Sequence, residues 1–241
     1  MTLPLFITGT DTDVGKTVVA AGLALAFRKR GLDVGVMKPA ATGCRSWRGT
    51  LISEDVEYLR KVSDCEDEPA LVCPYLFREP LAPEVAAKLE NRRIDVRRII
   101  RTFDKLRRRH EMLIVEGAGG LFVPVKRNYF MIDLIVAMNA VLVIVARPGL
   151  GTINHTLLSC ASARERGIEV AGVIISNYPA RPSLAERTNP DSLRRYAGAP
   201  LLGILPHLPG VSVATCGFDG LLEATESNID LDVLLKRIRR R

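Results

Sequence analysis

The run Leu3-Pro4-Leu5-Phe6-Ile7-Thr8 leads into Gly9-Thr10-Asp11-Thr12-Asp13-Val14-Gly15-Lys16-Thr17, and then into the apolar helical pattern that begins Val18-Val19-Ala20-Ala21. A strand-like segment, a glycine-bounded loop and a helix start thus follow one another without a break. Glycine in such a loop lets backbone N–H groups curl around phosphate oxygens. Lys16 is then placed to meet the β- and γ-phosphates, and the Thr17 hydroxyl to meet Mg²⁺. The positive end of the helix dipole adds to the attraction. Five residues separate Gly9 from Gly15, where the general phosphate-loop pattern has four.

Outward from this loop, short apolar runs alternate with helical patterns. The strand candidates are 3–8, 34–38, 112–116, 140–146, 170–176 and 201–205, and the helix candidates are 16–30, 54–62, 95–109, 131–138, 152–166 and 229–239. The strands lack polar alternation, which marks a parallel sheet buried on both faces. The pattern predicts an α/β fold of the P-loop NTPase type, with a mostly parallel sheet, helices on both faces and one domain over 1–241. Ligands of such sheets bind beyond the carboxyl ends of the strands.

The composition is that of a globular protein, with 47% hydrophobic and 25% charged residues in 241. No apolar stretch is long enough for a membrane span, and no basic region or cleavage site precedes the first strand. The expectation is a cytoplasmic protein with no membrane partner. Cys44, Cys65, Cys73, Cys160 and Cys216 show no C-x-x-C pairing and read as reduced thiols. The net charge is +7, with Arg92, Arg93, Arg97, Arg98, Arg101, Lys105, Arg107, Arg108 and Arg109 in one helical stretch and Arg237, Arg239, Arg240 and Arg241 at the end. No aromatic residues interleave the first cluster. It reads as a solvated face beside the apolar stripe Ile94, Ile99, Ile100, Phe103 and Leu106, with no nucleic-acid partner.

Two further segments carry chemistry. Met112 to Val115 is an apolar run ending in Glu116 and then Gly117-Ala118-Gly119-Gly120, where a strand-end carboxylate helps hold Mg²⁺. Val36-Met37-Lys38-Pro39-Ala40-Ala41-Thr42-Gly43 puts a lysine at a strand end beside the phosphate loop, suited to an anionic substrate and to charge developing in phosphoryl transfer.

Together G-T-D-T-D-V-G-K-T (9–17), K-P-A-A-T-G (38–43), E-G-A-G-G (116–120), G-T-I-N-H (151–155) and A-P-L-L-G-I-L-P (199–206) resemble the dethiobiotin synthetases. The longer phosphate loop is that family's own version. The resemblance implies a ligase that converts 7,8-diaminopelargonate, CO2 and ATP to dethiobiotin, ADP and phosphate through a carbamate and its phosphoric anhydride. It implies ATP bound by Thr12, Asp13, Val14, Gly15, Lys16 and Thr17, with Asn177, Pro206, His207 and Leu208 around the base. Mg²⁺ falls to Thr17, Asp55 and Glu116, and catalysis to Lys16 and Lys38. Thr42, Gly119, Gly151, Thr152, Ile153 and Asn154 meet the diamine, the last four from the neighbouring subunit of a homodimer. The family offers no role for Glu84 or for the segment after Gly210.

Two rivals stay open on the sequence. Regulatory ATPases of the septum-positioning and plasmid-partitioning kind share the loop, but carry a lysine near Asp11. Glutamine-dependent amidotransferases of cobalamin synthesis share a similar synthetase domain, but add a glutaminase domain for which 241 residues leave no room.

Overall fold

A computed structural model describes residues 3–239. Arg240 and Arg241 of the terminal basic cluster lie outside them. Six strands form the central sheet: β1 (Leu5–Gly9), β2 (Val34–Met37), β3 (Met112–Glu116), β4 (Val141–Ala146), β5 (Val170–Tyr178) and β6 (Leu201–Pro206). Their order is β6-β5-β4-β1-β3-β2, and every neighbouring pair is parallel. All six were expected from their apolar runs. The chain fills one side of β1 with β2 and β3, then crosses to the other side with β4. Order therefore reverses at β1, which puts a crevice at its carboxyl end.

Among the described residues ten helices accompany the sheet: α1 (Lys16–Lys29), α2 (Glu54–Val62), α3 (Pro69–Val72), α4 (Pro83–Leu89), α5 (Val96–Arg109), α6 (Met131–Met138), α7 (Thr152–Glu165), α8 (Leu184–Tyr196), α9 (Leu221–Asn228) and α10 (Leu231–Ile238). Side chains alternate across each strand. Leu5, Ile7, Val141, Val143 and Val145 face a core built with α1, α2, α9 and α10. Phe6, Leu113, Leu142, Ile144 and Ile175 face a second core built with α4 to α8. Helices thus cover both faces. Short hairpins at 45–52, 124–130 and 211–218 decorate the loops. Among the described residues, no helix is long and apolar enough to cross a membrane.

The segment after Gly210 is structural, since Leu221, Leu231, Leu234 and Ile238 are fully buried or nearly so in the first core. Glu84 sits in the first turn of α4, where its charge complements the helix dipole. On α5, Ile99, Thr102, Phe103 and Leu106 form the buried stripe. Arg92 stacks over Phe77, Arg98 over Tyr75, and Arg109 pairs with Asp67.

His110 fastens the edge of the sheet opposite the crevice. Its Nε2 lies 2.6 Å from Asp67 and its Nδ1 3.0 Å from Asp33. Burial alone disfavours the imidazolium, but the two carboxylates outweigh it and hold the His110 pKa above its ordinary value. A raised folded-state pKa contributes stability that is complete below the unfolded value near 6.5 and is lost as pH rises through the folded one. His110→Gln is therefore expected to cost about 1–3 kcal/mol near pH ~6 and progressively less toward pH ~9. Urea melts of both proteins across that range check it. A cost independent of pH contradicts the charged pairing.

Candidate active site

The loop after β1 is shaped by what touches it. Gly15 has φ 92, and a Cβ there would lie 2.4 Å from Ser176 Oγ on β5. Only glycine fits, both for its backbone and for its space. Gly15 also caps α1 without a side chain, so no side chain of the cap occupies the helix's first N–H groups. Asp13 shares the left-handed region with φ 57. Lys16 Nζ donates to the Asp11 carbonyl at 2.9 Å, and the Thr12 N–H donates to Asp11 Oδ1 at 2.8 Å. Gly9 N–H donates to the Gly119 carbonyl, which ties the loop to the glycines after β3.

Lys38 stands one residue beyond β2 in an extended segment. Its N–H donates to the Val72 carbonyl, and the Ala41 N–H to the Tyr75 carbonyl, so residues 38–44 run beside 72–77. Lys38, Ala40 and Thr42 thereby turn to the crevice. α2 begins at Ser53, whose side chain accepts from the Val56 N–H, and carries Asp55 in its first turn. These elements bring four groups together. Lys38 Nζ donates to Glu116 Oε1 at 2.7 Å and also pairs with Asp55. Thr17 Oγ1 donates to the same Glu116 oxygen at 2.9 Å. Asp55, rather than its neighbour Glu54, holds the lysine.

The electrostatics follow from burial. Burial disfavours the Lys38 ammonium, yet Glu116 and Asp55 outweigh it and hold its pKa above the ordinary lysine range. For Glu116 burial dominates and pushes the pKa up against the pull of Lys38. Burial opposes ionisation of Asp55, but Lys38 and Thr17 keep its pKa depressed. Burial lowers the pKa of Lys16. Two lysines and two carboxylates thus face one another in the cluster.

A cleft of about 840 Å³ opens over these groups, lined by Thr12, Asp13, Gly15, Lys16, Thr17, Lys38, Thr42, Asp55, Glu116 and Gly119. The hairpin at 211–218 adds Val213 and Ala214, which no motif announced. Val14 is buried beneath the loop. Asn177, Pro206, His207 and Leu208 lie outside this cleft at the ends of β5 and β6. Asn177 directly follows the Ser176 that presses on Gly15, and its Oδ1 is 2.8 Å from His207 Nδ1. Gly151, Thr152, Ile153 and Asn154 line neither this cleft nor a second one of about 510 Å³ between Gly9–Thr12, the 120–124 loop and α7.

The donor set suits Mg²⁺. Glu116 Oε2 is buried without a partner in the middle of the cluster, with the Asp55 carboxylate and the Thr17 hydroxyl beside it. Among the described residues no group of three His, Cys, Asp or Glu is arranged to hold a metal alone. A hard cation held by these oxygens would need further ligands, of the kind that phosphate and water offer Mg²⁺.

A family model described as an AAA domain matches residues 4–215. The chain is 46% identical over 210 residues to the ATP-dependent dethiobiotin synthetase BioD of Bacillus licheniformis, covering 86% of this chain and 87% of that one. It is 40% identical over 238 residues to the protein of the same name from Thermodesulfovibrio yellowstonii, covering 95% and 97%. Among solved structures it resembles the MinD cell division protein of Aquifex aeolicus, with TM-score 0.59, 12% identity and 99% and 98% coverage. A ParA family ATPase from Chlorobium tepidum gives TM-score 0.53 at 15% identity, with 98% and 96% coverage. At such identities these likenesses speak for the P-loop fold alone.

Lys38 supplies the positive charge facing two carboxylates that are also the proposed donors for a divalent cation. Lys38→Met leaves Asp55 and Glu116 without their cation and is expected to cost about 3–5 kcal/mol of stability. Mg²⁺ added without nucleotide should restore part of that loss, while leaving the unaltered protein's melting temperature unchanged. Thermal melts with and without Mg²⁺ decide it; an indifferent variant speaks against the donor set.

Proposed function

The chain belongs to the ATP-dependent dethiobiotin synthetase family and is, like its members, an ATP-dependent ligase of biotin formation; from that premise we propose that it closes the cyclic urea of dethiobiotin on 7,8-diaminopelargonate, with CO2 and MgATP. One amine adds to CO2 and loses a proton, giving a carbamate. The carbamate oxygen attacks the γ-phosphorus and ADP leaves. The second amine then attacks the carbamoyl carbon, closes the ring and releases phosphate. No protein nucleophile is needed, so catalysis is positioning and charge stabilisation.

The observation that carries this reading is Lys38, a buried ammonium fixed between Glu116 and Asp55 beside the phosphate loop. An anionic carbamate and the transferring phosphoryl group both need a cation there. Lys16 serves the phosphates, Thr42 and Gly119 the carbamate end, and Asn177 with Pro206 to Leu208 the base. Thr17, Asp55 and Glu116 would hold Mg²⁺, which supplies charge neutralisation on the phosphate oxygens.

The diamine also carries a carboxylate at the far end of its apolar chain. The start of α7, at Gly151 to Asn154, offers the N–H groups for it. These residues lie outside the single-chain cleft, and the exposed Leu150, Leu158 and Phe122 stand nearby. Both facts support a homodimer in which each site takes its anchor from the neighbouring copy.

Incubation with diaminopelargonate, bicarbonate, Mg²⁺ and ATP should yield dethiobiotin by mass, and its absence refutes the assignment. Lys16→Ala is expected to lose about 10²-fold or more in turnover while remaining folded. A bulky residue at Gly151 should weaken diamine binding and spare ATP. Mixing those two variants should restore activity in hybrid dimers, where one composite site is intact. Hybrids that form and regain nothing rule out the shared site.

A further inference from the structure

The two cavities beside the phosphate loop differ in charge. The larger cleft carries Lys16 and Lys38 and suits phosphates and an anionic carbamate. The smaller one, of about 510 Å³, is walled by Leu121, Phe122, Val123, Pro124 and Leu158. Among the described residues, Asp11 is the one Asp, Glu, Lys or Arg that lines it. Thr12 and Val123 line both spaces. A Cβ added to Gly119 would lie 2.6 Å from Val123 Cγ2 and 3.7 Å from Thr12 Oγ1, so the cleft and the cavity meet at Gly119. Asp11 is oriented without being used up. Its Oδ1 accepts the Thr12 N–H at 2.8 Å, and its carbonyl accepts from Lys16 Nζ at 2.9 Å. Its Oδ2 faces Arg147 at 3.7 Å, beyond hydrogen-bond distance. Thr10 Oγ1 and His155 Nδ1 belong to two further lining residues, and both are buried without a partner. A hydroxyl and a neutral imidazole nitrogen can each accept a hydrogen bond. One negative charge and spare acceptors inside apolar walls suit an alkylammonium, and aliphatic amines are protonated near neutral pH as lysine is.

We propose that Asp11 is a specificity-determining residue, which holds the amine of the diamine that is left free when the other is carboxylated. The anionic carbamate lies on the side of Lys16 and Lys38, and the free ammonium lies across Thr12 and Val123, on the side of Asp11. The boundary between the two cavities thus sorts the two nitrogens by charge. The inference rests on the dethiobiotin reading for its substrate and adds to it the residue that distinguishes a diamine from a monoamine.

The test uses a stable mimic of the carboxylated diamine, with a carboxymethyl group in place of the carboxylated inner amine. It is made in two forms, one keeping the free amine and one with a methyl group there, and each is titrated calorimetrically into the intact protein. The amine form should bind the unaltered protein about tenfold more tightly or better than the methyl form. Asp11→Asn should lower the amine form to the level of the methyl form and leave the methyl form unchanged. Asp11→Glu should recover part of the preference. MgADP, titrated alone, should bind all three proteins alike. The inference is overturned if neither form binds, if the unaltered protein binds both alike, or if Asp11→Asn keeps the preference. It is also overturned if Asp11→Asn weakens both forms or MgADP as well, because Asp11 would then only shape the phosphate loop. Dethiobiotin formation by the unaltered protein is scored separately. If it fails while the amine preference holds, the proposed reaction falls and the ammonium site stands; if it succeeds without the preference, the role of Asp11 alone falls.

Discussion

A lysine buried between two carboxylates and touching one of them through an oxygen shared with a threonine is expensive to build. Lys38, Glu116, Asp55 and Thr17 come from four separate elements, and desolvating their charges costs several kcal/mol per ion before attraction repays it. An apolar cluster of equal volume would serve stability as well or better. Under the proposed function the arrangement is charge held ready: the ammonium would need no reorganisation when negative charge develops beside it. Much of the neighbouring architecture serves to hold it. The 38–44 segment is laid against 72–77 to aim Lys38, α2 is capped by Ser53 to aim Asp55, and Glu116 ends a strand buried on both faces.

The phosphate loop meets the same cluster through Thr17, and its own shape is set from outside. Ser176 on β5 occupies the space a side chain at position 15 would need, and the Gly119 carbonyl receives the Gly9 N–H. The loop is therefore wedged between the ends of β3 and β5, with β1 beneath it. Parallel order and the reversal at β1 bring all these strand ends to one side, so the topology supplies the site's position before any side chain acts.

What could be read from the sequence divides along physical lines. The six strands were legible because burial on both faces writes unbroken apolar runs. Helix Glu54–Val62 was legible to the residue, since Ser53 and three acidic residues announce its start. Helix Leu184–Tyr196 was missed. Pro190 inside it argues against a helix, although Ser183 and Glu186 form a capping box that signals one. Helix Leu221–Asn228 opens on a glycine with no polar cap and passed as loop. In the site, contiguous motifs gave Lys16, Thr17, Lys38 and Glu116. Ser176 and Val213 depend on segments distant in sequence meeting in space, and no local spacing encodes that.

The basic stretch on α5 shows why composition alone misleads. Nine cations in eighteen residues look like a polyanion surface. Yet Arg92 and Arg98 lie over Phe77 and Tyr75, which stack on each other with centroids 6.3 Å apart, and Arg109 binds the buried Asp67. Guanidinium planes cover aromatic faces while keeping their charge in water, and a lysine would do this less well. Those arginines close the second core where α5 meets the 72–77 segment. The same segment bonds to the backbone of Lys38, so part of the positive charge that read as a solvated face braces the lysine at the protein's centre.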